Sequence, residues 1–264
     1  MTGSRDIRNS VRGLSKQAAK GALVFLLVFY PAAAFSGQWR VAPARVFLDR
    51  EARSSVITIV NEGEEKVNLQ CKAMEWTQDP EGKDVYNESK ELVFFPRILM
   101  VDKGEQRIIR AGIKAPATAR EKTYRLFIEE IPQPKKGSSD SAQLTIAIRF
   151  GVPFFVKPLK EEAAGELTGL GMAKGIVSAS VRNTGNTHFR IIEISLKGKD
   201  GKGEETFASK LDGWYLLAGA DRIYSSPIPA GKCDTTKQID ITVTTDTKII
   251  LNGRLDVEKG HCLP

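Results

Sequence analysis

Hydrophobic side chains recur at alternate positions in several short stretches of this chain, and nowhere at the 3.6-residue spacing of a sustained helix. Val56 to Val60, Val67 to Ala73, Tyr124 to Ile128, Leu144 to Ile148, Ile176 to Val181, Ile191 to Leu196 and Ile239 to Val243 alternate or carry β-branched clusters. Turn signals fall between them, among them Asn61-Glu62-Gly63, Asp79-Pro80-Glu81-Gly82, Lys103-Gly104, Asn183-Thr184-Gly185 and Lys199-Asp200-Gly201. Short strands at this spacing predict an all-β fold made of β-sandwiches. The series breaks near Lys157-Pro158, and the polar stretch Lys160 to Gly165 opens a second one. The pattern therefore predicts two immunoglobulin-like β-sandwich domains in tandem, residues 37–157 and 158–264, of about 120 and about 107 residues. It contains no heptads and no convincing short repeat.

The first 36 residues stand apart. Arg5, Arg8, Arg12, Lys16 and Lys20 precede the apolar run Gly21 to Tyr30, which Pro31 ends before the small residues Ala32, Ala33 and Ala34. A basic start, a short apolar centre and small residues before a polar chain describe a secretory signal peptide. The run is about half of the roughly 20 residues that a spanning helix needs. Cleavage after Ala34 or Ser36 fits the small-residue spacing, with Ser36 preferred; an uncleaved N-terminal anchor is the alternative. With the signal removed, no stable membrane anchor is expected.

Charge changes meaning once that segment is set aside. The 264 residues carry a net charge of +7, which by itself would point to nucleic acid or an acidic surface. Five basic residues and Asp6 belong to the signal, leaving 34 basic against 31 acidic side chains, a net of +3. Nucleic acid is not an expected partner. The composition is that of a globular protein, 41% hydrophobic and 27% charged, which excludes wholesale disorder and a multi-span membrane protein.

The three cysteines are too few for a disulfide scaffold or a four-cysteine zinc site. Cys71 shares a strand face with Val67, Leu69 and Ala73, so it reads as a small buried apolar residue. Cys233 and Cys262 lie in turn-like contexts flanking the last strands. In an oxidising compartment they are the expected disulfide, closing a loop of about 30 residues worth roughly 3–4 kcal/mol on the chain-entropy model.

No catalytic constellation is found. The sequence lacks a Gly-x-Ser-x-Gly elbow, a His-Glu-x-x-His pair and a phosphate-binding Gly-x-x-x-x-Gly-Lys loop. Glu129 and Glu130 point to opposite faces of a strand and cannot share a site. Gly169-Leu170-Gly171 reads as a turn, Asp79 to Asp84 as a solvated hairpin tip, and His188 as a strand beginning with no second ligand nearby. No catalytic residue, metal site or cofactor is expected.

One strand does carry a functional signal. Leu144, Ile146 and Ile148 share a face over about 13 Å, with Ala142 and Phe150 at the margins. The strand follows the polar loop Gln133 to Asp140, and Pro153 in the same run favours a sheet edge, since Pro cannot donate a ladder hydrogen bond. An edge with a row of large aliphatics is an aggregation hazard unless it has a use. An ordinary core strand facing its own interior would carry the same pattern, so periodicity leaves both open.

From Trp39 to Pro158 the chain resembles the N-terminal domain of the PapD-like periplasmic pilus chaperones, as a divergent member. The resemblance rests on Val41-Ala42-Pro43-Ala44-Arg45-Val46-Phe47, on Val60-Asn61-Glu62-Gly63, and on Phe95-Pro96-Arg97 with Val101 to Arg110. It continues through Glu121 to Pro132, the polar loop, and the aliphatic strand ending in Lys157-Pro158. The second half is similar at Val181 to Asn186 and more loosely beyond.

The resemblance implies a periplasmic chaperone of the Gram-negative chaperone–usher pathway. Its partners would be pilin-like subunits, incomplete immunoglobulin-like folds lacking their last strand, and an outer-membrane usher that takes them over. Donor-strand complementation by Leu144, Ile146 and Ile148 would fill the subunit's groove, worth on the order of 5–9 kcal/mol before ordering costs. An exposed donor edge also implies a capacity for self-association in the free state. Arg45 matches the family's first-strand arginine, which anchors the subunit's C-terminal carboxylate. The second basic anchor, normally a Lys on the donor strand, falls at Pro153, a departure for which Arg125 is a candidate replacement. Glu121 and Lys157 match an interdomain charge cluster, with Asp246 as its third member. The competing reading is an exported two-domain β-sandwich adhesin or surface structural protein, which would need neither the donor strand nor Arg45 at a cleft.

Overall fold

The computed structural model describes residues 39–132 and 146–262. The segment expected to be a signal peptide and the expected donor residue Leu144 lie outside the described residues. The first sandwich contains β1 (Trp39–Ala42), β2 (Val46–Leu48), β3 (Ser54–Asn61), β4 (Val67–Gln78), β5 (Asp84–Glu88), β6 (Leu92–Phe95), β7 (Ile98–Val101), β8 (Gln106–Ile113), β9 (Lys122–Glu130) and β10 (Arg149–Val156). One sheet has the order β1-β3-β8-β6, the other β2-β10-β9-β4-β5 with β7 also on β4. The chain changes sheet between β1 and β2 through a cis Ala42–Pro43 bond. Alternation fixes the register: Ile57 and Ile59 of β3, Ile109 and Ala111 of β8, and Tyr124, Leu126 and Ile128 of β9 all enter one core. Cys71 is in that core, and burial pushes its thiol up to about 12.

The second sandwich contains β11 (Gly165–Ala173), β12 (Ile176–Asn183), β13 (Phe189–Lys199), β14 (Glu205–Asp212), β15 (Tyr215–Leu216), β16 (Asp221–Pro227), β17 (Gln238–Thr245) and β18 (Ile250–Asp256). Its sheets run β11-β12-β16 and β14-β13-β17-β18, with β15 on β13. Ile239, Ile241 and Val243 on one face of β17 are fully buried at its centre. The Gly169–Gly171 segment is not a turn. It lies inside β11, where the register against β12 shifts between Thr168 and Gly171 and Gly169 takes a φ of 56°, a β-bulge. Cys233 and Cys262 form a disulfide, pinning the 3-10 turn Lys259–Cys262 to the second core.

The two sandwiches repeat one polar device that the sequence did not announce as a repeat. Asn61 donates through Nδ2 to Glu65 O and Val101 O, at 2.8 and 3.0 Å, and accepts from Gly63 N at 3.0 Å. Asn183 donates to Thr187 O and Leu216 O at the same two distances and accepts from Gly185 N at 3.0 Å. Both side chains are fully buried. Each satisfies carbonyls that the end of a sandwich would otherwise leave without a partner.

The sandwiches meet through a fixed joint. Trp76 and Phe155 of the first pack with Tyr215 and Leu217 of the second. Gln78 clamps the neighbouring backbone from both ends of its amide, donating to Tyr215 O and accepting from Leu217 N, each at 2.9 Å. Trp214 Nε1 donates to Asp84 at 2.9 Å. The β4–β5 hairpin is therefore an arm laid on the second sandwich rather than a solvated tip. At its turn, Gly82 has a φ of 75°, and a Cβ there would lie 2.6 Å from Asp221 O, so only glycine fits. His188 stacks on Phe155 with ring centroids 3.6 Å apart, and its backbone N–H and its Nδ1 each lie 2.8 Å from one oxygen of Glu121. Asn186 ties the linker down, donating to Ala119 O at 2.9 Å and Lys160 O at 2.7 Å.

Two outcomes follow from these contacts. Asn61→Ala and Asn183→Ala each leave two carbonyls unpaired, so chemical denaturation should register a loss of about 2–3 kcal/mol for either. Asn87→Ala, at an exposed position, should stay within about 0.5 kcal/mol. Gln78→Ala removes both clamp bonds at a cost of about 1–3 kcal/mol. Residual dipolar couplings should then no longer fit a single orientation of the two sandwiches, as they should for the unchanged protein.

Candidate functional site

The sequence placed a strand over Leu144 to Ile148. Leu144 and Thr145 lie outside the described residues; β10 begins at Arg149, and Glu130, the last residue of β9, donates its N–H to Ile148 O at 2.9 Å. Among the described residues, Ile146 and Ala147 are in no strand. In β10, Val152, Phe154 and Val156 face the core. Phe150, Ile148 and Ile146 continue the same parity out of the sandwich. Phe150 lies on Trp39 with centroids 5.1 Å apart, Ile148 packs against the core, and Ile146 stands 74% exposed.

The backbone of β10 is paired on one side along its whole length and on the other only at one end. It runs antiparallel to β9 from Arg149 to Val156. Its other side meets β2, in parallel, only at Phe154, Phe155 and Val156. The Glu130–Ile148 bond on one side and the Lys157 N–Leu48 O bond on the other, both 2.9 Å, fix the alternation. Even-numbered residues turn N–H and C=O toward β9; odd-numbered ones turn them away. Arg149 and Gly151 thus present backbone groups to an edge that no strand covers among the described residues.

The outer face of this sheet carries a chain of aromatic rings and arginines. Arg125, opposite Pro153 in the β9–β10 register, lies over Trp76 with its Cζ 4.0 Å from the ring centroid; Trp214 and Tyr215 are at 5.8 and 5.7 Å. Its Nη1 donates to Gly151 O at 2.9 Å. Arg125 Nε and Nη2 are buried and have no partner among the described residues. Next to it, Phe127 is covered by Arg149 at 3.8 Å and meets Tyr86 edge-on at 5.1 Å. Burial pushes the Tyr86 hydroxyl up to about 12. Arg125, the candidate replacement for the second basic anchor, is thus 8% exposed and held against the aromatic face of its own sheet.

Arg45 is a partly exposed cation at the start of β2. It lies just before β2, level with Pro153, with its side chain 43% exposed and its Nη1 3.5 Å from Asp246. Asp246 also accepts from Arg190 N at 2.8 Å. The three residues expected to form one charge cluster are divided among different partners. Glu121 holds His188, Asp246 holds Arg45, and Lys157 pairs with Glu161 at 2.9 Å. The Glu161 hydrogen bond raises the Lys157 pKa, with smaller contributions from Asp49 and Glu121. Sequence reasoning missed His188 and Gln78 as joint residues. Their partners lie 67 and more than 130 residues away, so no local spacing signals them.

Residues 38–161 match the family model described as pili and flagellar-assembly chaperone, PapD N-terminal domain. A search of the curated proteins finds no match. Among solved structures, the chain is similar to one in the CsuC–CsuE chaperone–tip adhesion subunit pre-assembly complex from archaic chaperone-usher Csu pili of Acinetobacter baumannii. The TM-score is 0.58 at 16% identity, covering 81% of this chain and 98% of that one. A chain of the Salmonella enterica SafA pilin–SafB chaperone complex gives 0.53 at 14% identity, covering 84% and 99%. The class 5 fimbriae chaperone CfaA gives 0.52 at 12% identity, covering 82% and 98%. At these identities the likeness to solved structures is one of fold. Together, the family match over residues 38–161 and the likeness in fold identify the first sandwich as a PapD N-terminal domain within a chain that has the two-sandwich fold of the pilus chaperones.

Proposed function

We propose that this chain is a periplasmic chaperone for pilin-like subunits, lending them the free edge of β10 and passing them to an outer-membrane usher. The supporting observation is the half-paired strand. Its odd-numbered backbone groups face an edge that is open among the described residues, and Ile146 and Ile148, which Leu144 precedes in the same sequence alternation, continue the core-facing parity of β10. A subunit strand added to that edge gains main-chain hydrogen bonds, while the aliphatic row enters its unfilled groove. Similar folds occur in a chaperone–tip adhesion subunit complex and a chaperone–pilin complex, which fits this class of partner. Arg45, exposed at the end of the edge, is the residue for the subunit's terminal carboxylate; Asp246 holds it in place until a carboxylate arrives. Glu121, Lys157 and Asp246 act in orienting the two sandwiches, through His188, Glu161 and Arg45 respectively.

The test is co-expression in the periplasm with a pilin-like subunit and recovery of the complex. Each buried Ile is worth about 1.5–3 kcal/mol, so Ile146→Asp with Ile148→Asp should lower recovery by about 100-fold or more. Arg45→Ala should lower it about tenfold, as expected for one partly exposed charge-assisted contact. Full recovery with both aspartates present would sink the donor-edge reading, and unchanged recovery with Arg45→Ala would make that arginine structural.

A further inference from the structure

The free edge of β10 does not simply run into β2. Arg149 offers an N–H and a C=O, and Gly151 offers an N–H. The next group along, Gly151 C=O, already accepts the Arg125 Nη1 hydrogen bond at 2.9 Å. The donor after that does not exist, because residue 153 is proline. From Phe154 the edge belongs to β2. Two consecutive ladder groups are therefore withdrawn between the open stretch and the chain's own strand.

The withdrawal is built in. The Arg125 guanidinium is clamped over Trp76 and buried, and it reaches the far edge of β10 by passing alongside Gly151, where the Phe127 ring leaves no room for a side chain. A Cβ at position 151 would lie 2.9 Å from the Phe127 ring and 3.6 Å from Arg125 Cδ. An arginine on the neighbouring strand, a glycine beneath it and a proline beside it thus act on the same point of the edge from three directions.

We propose that Arg125, Gly151 and Pro153 form a stop that ends an added strand at Gly151 and thereby sets its register. The stop rests on the donor-edge reading above and adds to it a length rule. The client strand finishes one ladder step, about 7 Å, before the level of Arg45, a gap that the long Arg45 side chain spans. Pro153 acts in both directions, since it also denies β2 a donor with which to extend back over the edge. A client whose last strand continued two residues further would meet a capped carbonyl and a missing donor.

The experiment compares two forms of the pilin-like subunit used in the co-expression above, one with its natural C terminus and one with Thr-Val appended. The readout is the ratio of extended to natural subunit recovered with each chaperone. With the unchanged chaperone the ratio should fall below about one tenth; with Arg125→Met, which frees Gly151 C=O, it should rise at least about threefold. Arg125→Lys keeps the buried charge but loses the planar donor fork, and should raise the ratio in the same direction. A ratio near one for the unchanged chaperone, or an equally low ratio in all three proteins, overturns the stop and leaves the donor edge standing. Failure of the unchanged chaperone to recover the natural subunit overturns the donor edge, and the stop with it.

Discussion

A strand at a sheet edge has backbone donors and acceptors that only water or another chain can satisfy, and β10 is left in that condition over part of its length. Among the described residues, β9 satisfies one side throughout, while β2 satisfies the other only from Phe154 onward. The remaining edge lies next to Trp39 and Phe150, beneath a row of aliphatics that leaves the sandwich at Ile146. Most proteins blunt such an edge with charge or bulges. Here the charges are present but directed elsewhere: Arg149 lies on Phe127 and pairs with Glu129, and Arg125 lies on Trp76. The aromatic face draws the cations off the edge, and the backbone stays available.

The same face joins the edge to the second sandwich. Trp76 carries Arg125 on one side of its surroundings and packs with Tyr215 on another; Phe155 of β10 stacks on His188, which Glu121 holds. The strand that would receive a partner is thus the strand on which the second sandwich rests. The partly exposed ion pairs of this joint, such as Arg45–Asp246, contribute little stability. Their value is a fixed cleft geometry, with Arg45 held at the end of the free edge.

Much of the fold was legible because alternation is a local property. The buried faces of β3, β8 and β17 can be read residue by residue, as can the burial of Cys71. The pairing of Cys233 with Cys262 was readable from their turn contexts. The joint was not legible. Gln78, Asp84 and His188 are polar residues whose partners lie far along the chain, and a polar residue at a hairpin or a strand start reads as solvated by default. Arg125 is the clearest case. A lone arginine on a strand reads as exposed, whereas Trp76, Trp214 and Tyr215 surround it only once both sandwiches are in place. The combination of Gly151 and Pro153 on the adjacent strand was the available signal, and it speaks of backbone access rather than of side-chain chemistry.

The availability of the β10 edge can be measured directly by amide hydrogen exchange. The N–H groups of Arg149 and Gly151 face the open edge, whereas those of Val152 and Phe154 are bonded to β9. In the free protein the first pair should exchange freely and the second pair slowly. On addition of a pilin-like subunit, Arg149 and Gly151 should become protected by about tenfold or more, with Val152 and Phe154 changed little. A subunit-bound complex in which Arg149 and Gly151 still exchange as they do in the free protein would contradict the assignment of this edge as the binding strand.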